Sequence, residues 1–207
     1  MKKKTIFTAA LLFVTLLVPL SLFSQSQDFE TDGPILVRYR GSAVNVTIPE
    51  GITAIGDRAF SENYRLISVT VPEGVTYIGI SAFNKCTSLR SINIPSSITT
   101  FMDFAFSECG SLRSVTIPSG VTYIGNGTFY KCTSLANITI PEGVIYIRDL
   151  AFAYCDSFTS ITIPSSVISI GDLVFNGCNN LRTVTISRST RIGENAFPVT
   201  AQITYSD

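Results

Sequence analysis

The chain repeats itself every 23 residues over most of its length. One segment, GVTYIGISAFNKCTSLRSINIPSS, begins at Gly74, and a closely similar one, GVTYIGNGTFYKCTSLANITIPEG, begins at Gly120. Two series of residues keep this step: Pro49, Pro72, Pro95, Pro118, Pro141 and Pro164, and Phe60, Phe83, Phe106, Phe129, Phe152 and Phe175. A fixed step of this length indicates stacked copies of one unit, because a single copy buries too little apolar surface to fold alone.

Each copy contains a short predicted strand. A leucine opens the pattern in most copies, and Phe158 takes its place once. The leucines are Leu66, Leu89, Leu112, Leu135 and Leu181. Three residues later comes an apolar–polar–apolar triplet such as Val69-Thr70-Val71, and this alternation over β-branched residues predicts a strand with one buried face. The proline that follows has no N–H for a sheet ladder, so it predicts the end of the strand.

The period, with Leu and Ile at fixed places, predicts a leucine-rich repeat solenoid. We expect a single curved, superhelical, β-rich domain with a parallel strand ladder, in which short helical turns carry the phenylalanines. Residues 42–207 are predicted to hold six regular 23-residue repeats and a degenerate closing repeat, and residues 25–41 an N-terminal cap segment. Extra strands at Ile35–Tyr39 and at residues 203–205 are expected to cover the two open ends of the ladder.

Residues 1–24 are predicted to be a secretory signal peptide. Lys2, Lys3 and Lys4 precede an apolar run, which Pro19 and small polar residues follow. A membrane anchor is the alternative, but the run is short against the roughly 20 residues that span a bilayer. The prediction is a protein that is secreted or held at the cell surface or envelope, with no membrane span once the signal is removed.

The charge balance does not favour nucleic acid or a membrane surface as a partner. The chain has 15 Lys and Arg against 15 Asp and Glu, so removal of the three leading lysines leaves 12 basic residues against 15 acidic ones. Nucleic-acid binders need a concentrated basic face, which this balance gives no reason to expect.

The unit LRSVTIPSGVTYIGNGTFYKC, which begins at Leu112, closely resembles the BspA-like leucine-rich repeats of bacterial and some protist surface proteins. The shared pattern is a Leu, an Ile-x-Ile-Pro, a Val-Thr-x-Ile-Gly, an Ala-Phe and a Cys, and it covers nearly the whole chain after the signal. The resemblance implies a secreted or surface protein that attaches to host matrix proteins or to other cells. It does not imply catalysis.

Polar residues form two rows on the predicted outward face of the strands, with arginines nearby. That face is the usual binding surface of such solenoids, and a flat, hydroxyl-rich face suits broad contact with protein or glycan better than a small-molecule pocket. The candidates are Ser68, Thr70, Arg90, Asn93, Arg113, Thr116, Asn137, Thr139, Thr162, Arg182 and Thr185. Two alternatives stay open: Thr suits any exposed strand position, and regular Thr rows also occur on ice-binding solenoids.

Three tyrosines are secondary candidates. Tyr77, Tyr123 and Tyr146 share one column on the opposite predicted strand. Half-exposed Tyr is common at binding surfaces, but its ring also packs against a core while its hydroxyl stays wet. We favour packing for this column.

Five cysteines also share a column. They are Cys86, Cys109, Cys132, Cys155 and Cys178. Neighbouring rungs point their Cβ atoms the same way about 5 Å apart, whereas a disulfide needs converging Cβ atoms about 3.5–4.5 Å apart. We therefore interpret them as small buried apolar residues, with disulfides or a metal site as the alternatives.

Acidic or amide residues follow the glycine position of most copies. They are Asp57, Asp103, Asn126, Asp149, Asp172 and Glu194. At the start of a helical turn their oxygens would accept the free backbone N–H groups, so we predict N-caps. A calcium ladder along Asn126, Asp149 and Asp172 is the alternative.

The sequence predicts a binding protein that is not an enzyme and has no cofactor. It contains no His, no phosphate-binding loop, no dinucleotide fingerprint and no nucleophile elbow. Paired carboxylates are the remaining acid–base chemistry, and the regular acidic column already has a predicted capping role. A structural protein of the cell envelope is the alternative function.

Overall fold

The computed structural model describes residues 28–206, so the predicted signal peptide at residues 1–24 lies outside the described residues. In chain order the strands are β1 (Phe29–Asp32), β2 (Ile35–Tyr39), β3 (Asn45–Thr47), β4 (Ala54–Ile55), β5 (Ser68–Thr70), β6 (Tyr77–Ile78), β7 (Ser91–Asn93), β8 (Thr100–Phe101), β9 (Ser114–Thr116), β10 (Tyr123–Ile124), β11 (Asn137–Thr139), β12 (Tyr146–Ile147), β13 (Ser160–Thr162), β14 (Ser169–Ile170), β15 (Thr183–Ser187), β16 (Arg191–Ile192) and β17 (Gln202–Ser206).

The strands stack into a β-solenoid of about seven turns with parallel ladders, which confirms the predicted architecture. Residues one repeat apart pair directly, as Val46 with Val69 and Val69 with Ile92. The odd-numbered strands from β3 to β17 lie on one side of the solenoid, which we call the strand face. The even-numbered strands from β4 to β16 join β1 and β2 in a nine-stranded sheet on another side.

Strands cover both ends where the sequence predicts them. At one end β2 pairs in parallel with β4 and in antiparallel with β1, so the β1–β2 hairpin continues the nine-stranded sheet. At the other end β17 pairs in parallel with β15 along five residues. The outer edges of β4 and β15 therefore each have a paired neighbour.

A column of stacked phenylalanine rings fills the core. Consecutive rings from Phe60 to Phe197 lie 4.9 to 5.5 Å apart between centroids and within 3 to 11° of parallel. Tyr39 extends the column at the N-terminal end, 5.3 Å from Phe60. Burying each Phe side chain stabilises the fold by roughly 1.5–3 kcal/mol, and these rings join every turn to the next.

The predicted helical turns are wrong. In the part of the chain that the structure describes there is no helix, and the backbone around each phenylalanine alternates between two kinds of hydrogen bond. The N–H groups of Ala59 and Ser61 donate to carbonyls three residues back, while the N–H of Phe60 donates at 2.8 Å to Ala82 in the next turn of the solenoid. Every second backbone N–H of this segment therefore donates to the next turn of the solenoid, so no continuous helix forms.

Backbone conformation also excludes a helix there. Arg58 and Glu62 have φ values of 56° and 63°, in the left-handed region, and the same two positions recur with positive φ in the following copies. A positive φ at the third residue of a four-residue turn is the feature of a type II β-turn. The segment is thus a chain of β-turns, and side chains other than Gly hold left-handed conformations in it.

The predicted N-caps are wrong for the same reason. Asp103 does not cap its own turn; its Oδ1 accepts the backbone N–H of Asn126 in the next turn of the solenoid at 2.8 Å. Three other aspartates of the column make the same contact at 2.7 to 2.9 Å: Asp57 to Ile80, Asp149 to Asp172, and Asp172 to Glu194. The column joins successive turns of the solenoid rather than capping the starts of helical turns.

The described residues contain no candidate membrane span. Between residues 28 and 206, no helix has the length and apolar character that crossing a bilayer requires.

Candidate binding face

The strand face carries the two predicted rows of polar side chains. In β5, Val69 points into the core and is 2 % exposed, while Ser68 and Thr70 on either side of it point outward. The parallel register then places Thr70 beside Asn93 on the neighbouring strand. The strand face is therefore built by the same alternation that buries the core.

Most of the polar groups in these rows are available to a partner. Within residues 28–206, the side chains of Thr116, Thr139 and Thr162 form no hydrogen bond to the protein, and all three are exposed. At the first strands, Ser68 Oγ donates to Asn45 Oδ1 at 2.7 Å. The central part of the face thus presents hydroxyl groups whose hydrogen bonds go to solvent or to a bound molecule.

The candidates are divided among three separate sheets, β3-β5-β7, β9-β11 and β13-β15-β17. Ser68, Thr70 and Asn93 lie in the first sheet, Thr116, Asn137 and Thr139 in the second, and Thr162 and Thr185 in the third. The three arginines directly precede strands: Arg90 before β7, Arg113 before β9 and Arg182 before β15. The structure therefore brings the candidates to one side, with two interruptions of the ladder between them.

The two interruptions differ in width. At the first, between β7 and β9, the N–H of Arg113 still donates to the carbonyl of Arg90 at 3.4 Å. At the second, β11 and β13 do not pair, and the N–H groups of Thr159 and Ile140 make no backbone hydrogen bond to the facing strand. The Cα atoms of β11 and β13 lie farther apart than those of the paired strands β9 and β11.

An open cleft of about 530 Å³ extends over β9, β11 and β13 and includes this second interruption. Its walls carry hydroxyl and amide groups, including those of Thr116, Asn137 and Thr162, and its floor is apolar. Ile138 on this floor is only half-buried, whereas its counterparts Val115 and Ile161 are buried. Glu142 is the one charged residue among those lining the cleft. The cleft thus combines an apolar floor, polar walls and a single negative charge.

The comparisons with known proteins agree with this architecture. A family model described as the BspA type leucine-rich repeat region matches residues 39–133 and 99–206, with six copies. The chain belongs to the BspA-type leucine-rich repeat family. No sequence among curated proteins matches it.

Solved structures of bacterial leucine-rich repeat proteins are similar to this BspA-type protein. A leucine-rich repeat protein of T. pallidum is 30% identical, with a TM-score of 0.72 and 77% of each chain covered. A leucine-rich cell surface protein of Faecalibacterium prausnitzii is 24% identical, with a TM-score of 0.48 over 84% of this chain and 75% of that one. A leucine-rich repeat protein of Bacteroides ovatus is also 24% identical, with a TM-score of 0.40 over 82% and 66%.

The tyrosine column of this BspA-type protein lies on the nine-stranded sheet, away from the strand face. Tyr77 and Tyr123 are half-buried, and the Tyr123 hydroxyl lies 3.4 Å from Met102 Sδ. Burial, with Asp57 and Tyr123 nearby, raises the pKa of Tyr77. Tyr146 is more exposed and its ring lies 5.2 Å from the Arg148 guanidinium carbon. The column is thus partly packed, and it does not join the strand-face candidates.

The cysteine column is buried, reduced and hydrogen-bonded. Each thiol donates to the carbonyl of a phenylalanine in the preceding turn at 3.1 Å, as Cys86 does to Phe60 and Cys109 to Phe83. Burial raises the pKa of Cys86 to about 12, and it raises the pKa of Cys109 well above the ordinary value. The interpretation as small core residues is therefore confirmed, with a structural hydrogen bond added to it.

The acidic column gives no support for the calcium ladder. Asp149 Oδ1 accepts the N–H of Asp172, and the amide Nδ2 of Asn126 donates to Asp103. Across residues 28–206, no group of three or more His, Cys, Asp or Glu side chains is placed to hold a metal ion. The carboxylates of this column are used in hydrogen bonds between turns.

The sequence analysis missed the cleft and the residues special to it, Ile138 and Glu142. One signal for its position was present, because Phe158 interrupts the series of leucines from Leu66 to Leu181 and lies two residues before β13. Phe158 is 1 % exposed and packs its ring edge-on against Phe152 and Phe175. The Phe at this leucine position thus coincides with the missing pairing between β11 and β13.

Proposed function

We propose that this protein is exported and acts in attachment, with its strand face binding host extracellular-matrix proteins or the surface of other cells through protein or glycan contacts. Membership of the BspA-type family indicates protein–protein interaction in general, and leucine-rich repeat proteins of this kind are generally non-enzymatic. The attachment role, the export by residues 1–24 and the use of the strand face go beyond that membership and form the proposal.

One observation carries the proposal. Exposed hydroxyls on successive strands, at Thr116, Thr139 and Thr162, form no hydrogen bonds within the described protein. Such groups satisfy a partner's donors and acceptors without first breaking internal bonds. Arg113 extends the same surface at the edge of β9 and offers a guanidinium to carboxylates.

The test is direct binding of the purified protein to fibronectin, fibrinogen, other matrix proteins and a glycan panel. A face variant combines Thr116→Lys, Thr139→Lys and Thr162→Lys. A matched control variant combines Thr76→Lys, Thr99→Lys and Thr122→Lys, which places the same charges on three exposed threonines outside the strand face.

We expect saturable binding that the face variant loses and the control variant keeps, with both variants folded by circular dichroism. Binding that survives in the face variant would move the site to the tyrosine column or the turns. If no matrix protein, cell or glycan binds, the attachment function is wrong and the structural role in the envelope becomes the better account.

A further inference from the structure

We propose that the cleft between β11 and β13 accepts an extended peptide segment of a partner protein, which pairs with the strand edges as an inserted strand. The inference rests on the proposed function, because it specifies how part of the strand face would bind its partner. It adds a binding mode in which the partner's backbone, and not only its side chains, is recognised.

The first argument is that the facing strand edges lack partners. Elsewhere on the strand face, the residue before a strand donates its N–H to the preceding turn of the solenoid, as Arg90 does to Ile67 at 2.8 Å and Arg182 to Thr159 at 2.9 Å. Thr159 holds the same position before β13, but its N–H makes no such bond, and β13 is not paired with β11. Edge N–H and C=O groups of this kind are a template for an added strand.

The second argument is space. One strand inserted between two others requires them to be roughly 9–10 Å apart, twice the usual spacing. The Cα atoms of β11 and β13 lie farther apart than those of the paired strands β9 and β11, and the cleft volume of about 530 Å³ falls in the range of roughly 300–1,000 Å³ typical of ligand sites. The opposite side stays closed, since β12 and β14 pair in register there.

The third argument gives the chemistry of the peptide. Alternate side chains of an inserted strand would point down onto the half-buried Ile138, so apolar residues fit those positions. The intervening side chains would lie level with the hydroxyls of Thr139 and Thr162, where small polar residues fit. Glu142, beyond the carboxyl end of β11, favours a Lys or Arg at that end of the peptide.

Phe158 is the residue that holds the cleft open. It stands where five other copies have Leu, and its larger ring lies buried two residues before β13. Interiors are close-packed, so the added volume has to move neighbouring atoms. Replacing Phe158 by Leu should therefore let β13 approach β11 and restore the pairing seen between β13 and β15.

The experiment uses the full chain and fluorescein-labelled peptides in an anisotropy titration. The probe is acetyl-Lys-Thr-Val-Thr-Val-Thr-Lys-amide, and a second peptide carries N-methyl groups on alternate amides, which removes backbone donors but keeps every side chain. Phe158→Leu closes the cleft, and Phe101→Ile is the matched control, since it also restores the residue type of its column at the other interruption.

We expect the probe to bind with a dissociation constant between about 1 mM and 1 µM. We expect at least about tenfold weaker binding for the N-methylated peptide and for Phe158→Leu, and unchanged binding for Phe101→Ile. Glu142→Gln should weaken binding of the lysine-ended probe and reduce its salt dependence.

Several results would overturn the inference: no binding of the probe up to about 1 mM, equal binding of the N-methylated peptide, or full binding by a folded Phe158→Leu protein. The two proposals fail separately. If a matrix partner binds Phe158→Leu normally but does not bind the Thr116, Thr139 and Thr162 lysine variant, the strand face is supported as the binding site and the inserted strand is contradicted. A partner that binds both variants as tightly as the parent protein would contradict both proposals.

Discussion

The carboxylate of Asp103 holds two turns of the solenoid together through Asn126. Its Oδ1 accepts the backbone N–H of Asn126 at 2.8 Å, and its Oδ2 accepts the side-chain Nδ2 of the same residue at 2.9 Å. The donor lies 23 residues along the chain but one rung away in space. The carboxylate at this position therefore serves a backbone N–H of the next turn of the solenoid, not one of its own turn.

The same contact explains where glycine occurs in the neighbouring column. Each Asp of the column is followed 22 residues later by Gly, or 21 where the last copy is one residue shorter: Gly79, Gly125, Gly171 and Gly193. Where the column has Ile80 or Asn126 in place of Asp, the residue 22 positions later is Met102 or Arg148 in place of Gly. A Cβ at Gly125 would lie 2.7 Å from Asp103 Oδ1, so glycine leaves room for the carboxylate.

Removing the Asp103 carboxylate should weaken the contact between these two turns of the solenoid. Asp103→Ala leaves the Asn126 N–H without its acceptor, so we expect the free energy of unfolding to fall by about 1–2 kcal/mol. Asp103→Asn keeps an oxygen at the same place and should cost less. Urea denaturation followed by circular dichroism measures both, and a midpoint unchanged in Asp103→Ala would show that water replaces the carboxylate at no loss.

Adding a methyl group at Gly125 should destabilise the protein through Asp103. We expect Gly125→Ala to lower the free energy of unfolding by about 1–3 kcal/mol. Combined with Asp103→Ala, the loss should be smaller than the sum of the two single effects by at least about 0.5 kcal/mol.

The matched control is Gly120→Ala, because a Cβ there would meet its nearest atoms at an ordinary 3.5 Å. It should change the urea midpoint little. Additive effects of Gly125→Ala and Asp103→Ala would mean that the backbone of the turn, 3.2 Å from the new Cβ, is the obstacle instead.

The strands and the core could be predicted because their signals are local. Alternation at Val69-Thr70-Val71 defines the buried face, and the exact 23-residue step defines the register without knowledge of any contact. Positions that the step aligns in sequence also pair in the nine-stranded sheet, as Tyr123 does with Tyr146. The two rows of the strand face follow from the same alternation.

The turns and the cleft could not be predicted because their causes are not local. Whether Phe60 lies in a helical turn depends on its N–H, which finds a better placed acceptor in Ala82 of the next turn than in its own segment. The cleft depends on how a ring at Phe158 changes the spacing of two strands, which is a packing effect across turns. Regular spacing in a sequence predicts the structure of a typical repeat, but it does not predict where one repeat differs from the others.

The cysteine thiols should resist modification until the protein unfolds. Cys109, Cys132 and Cys155 are fully buried and each thiol donates to a phenylalanine carbonyl, so neither access nor ionisation favours attack. With a disulfide-forming thiol reagent at pH 8, we expect no reaction of the native protein and five thiols after denaturation in guanidinium, counted by absorbance. Fewer than five in the denatured, unreduced protein would reveal disulfides.

Stability should fall as the pH rises above 9. The thiol of Cys86 has its pKa raised by burial from 9.0 to about 12, and Cys178 behaves in the same way. Below pH 9 both the folded and the unfolded protein keep these protons, so the full stability is present. Between pH 9 and 12 the unfolded thiols lose protons that the folded ones retain, and each such thiol lowers the free energy of unfolding by up to about 1.4 kcal/mol per pH unit.

Urea denaturation at pH 8.0, 9.5 and 10.5 measures this loss, and Cys178→Ala isolates one thiol from the tyrosines that ionise in the same range. The variant should lose stability less steeply than the parent protein, because it has one fewer group that ionises only when unfolded. Parallel pH profiles for the two proteins would mean that the Cys178 thiol ionises as readily in the folded state as in the unfolded one, and that its position is open to water.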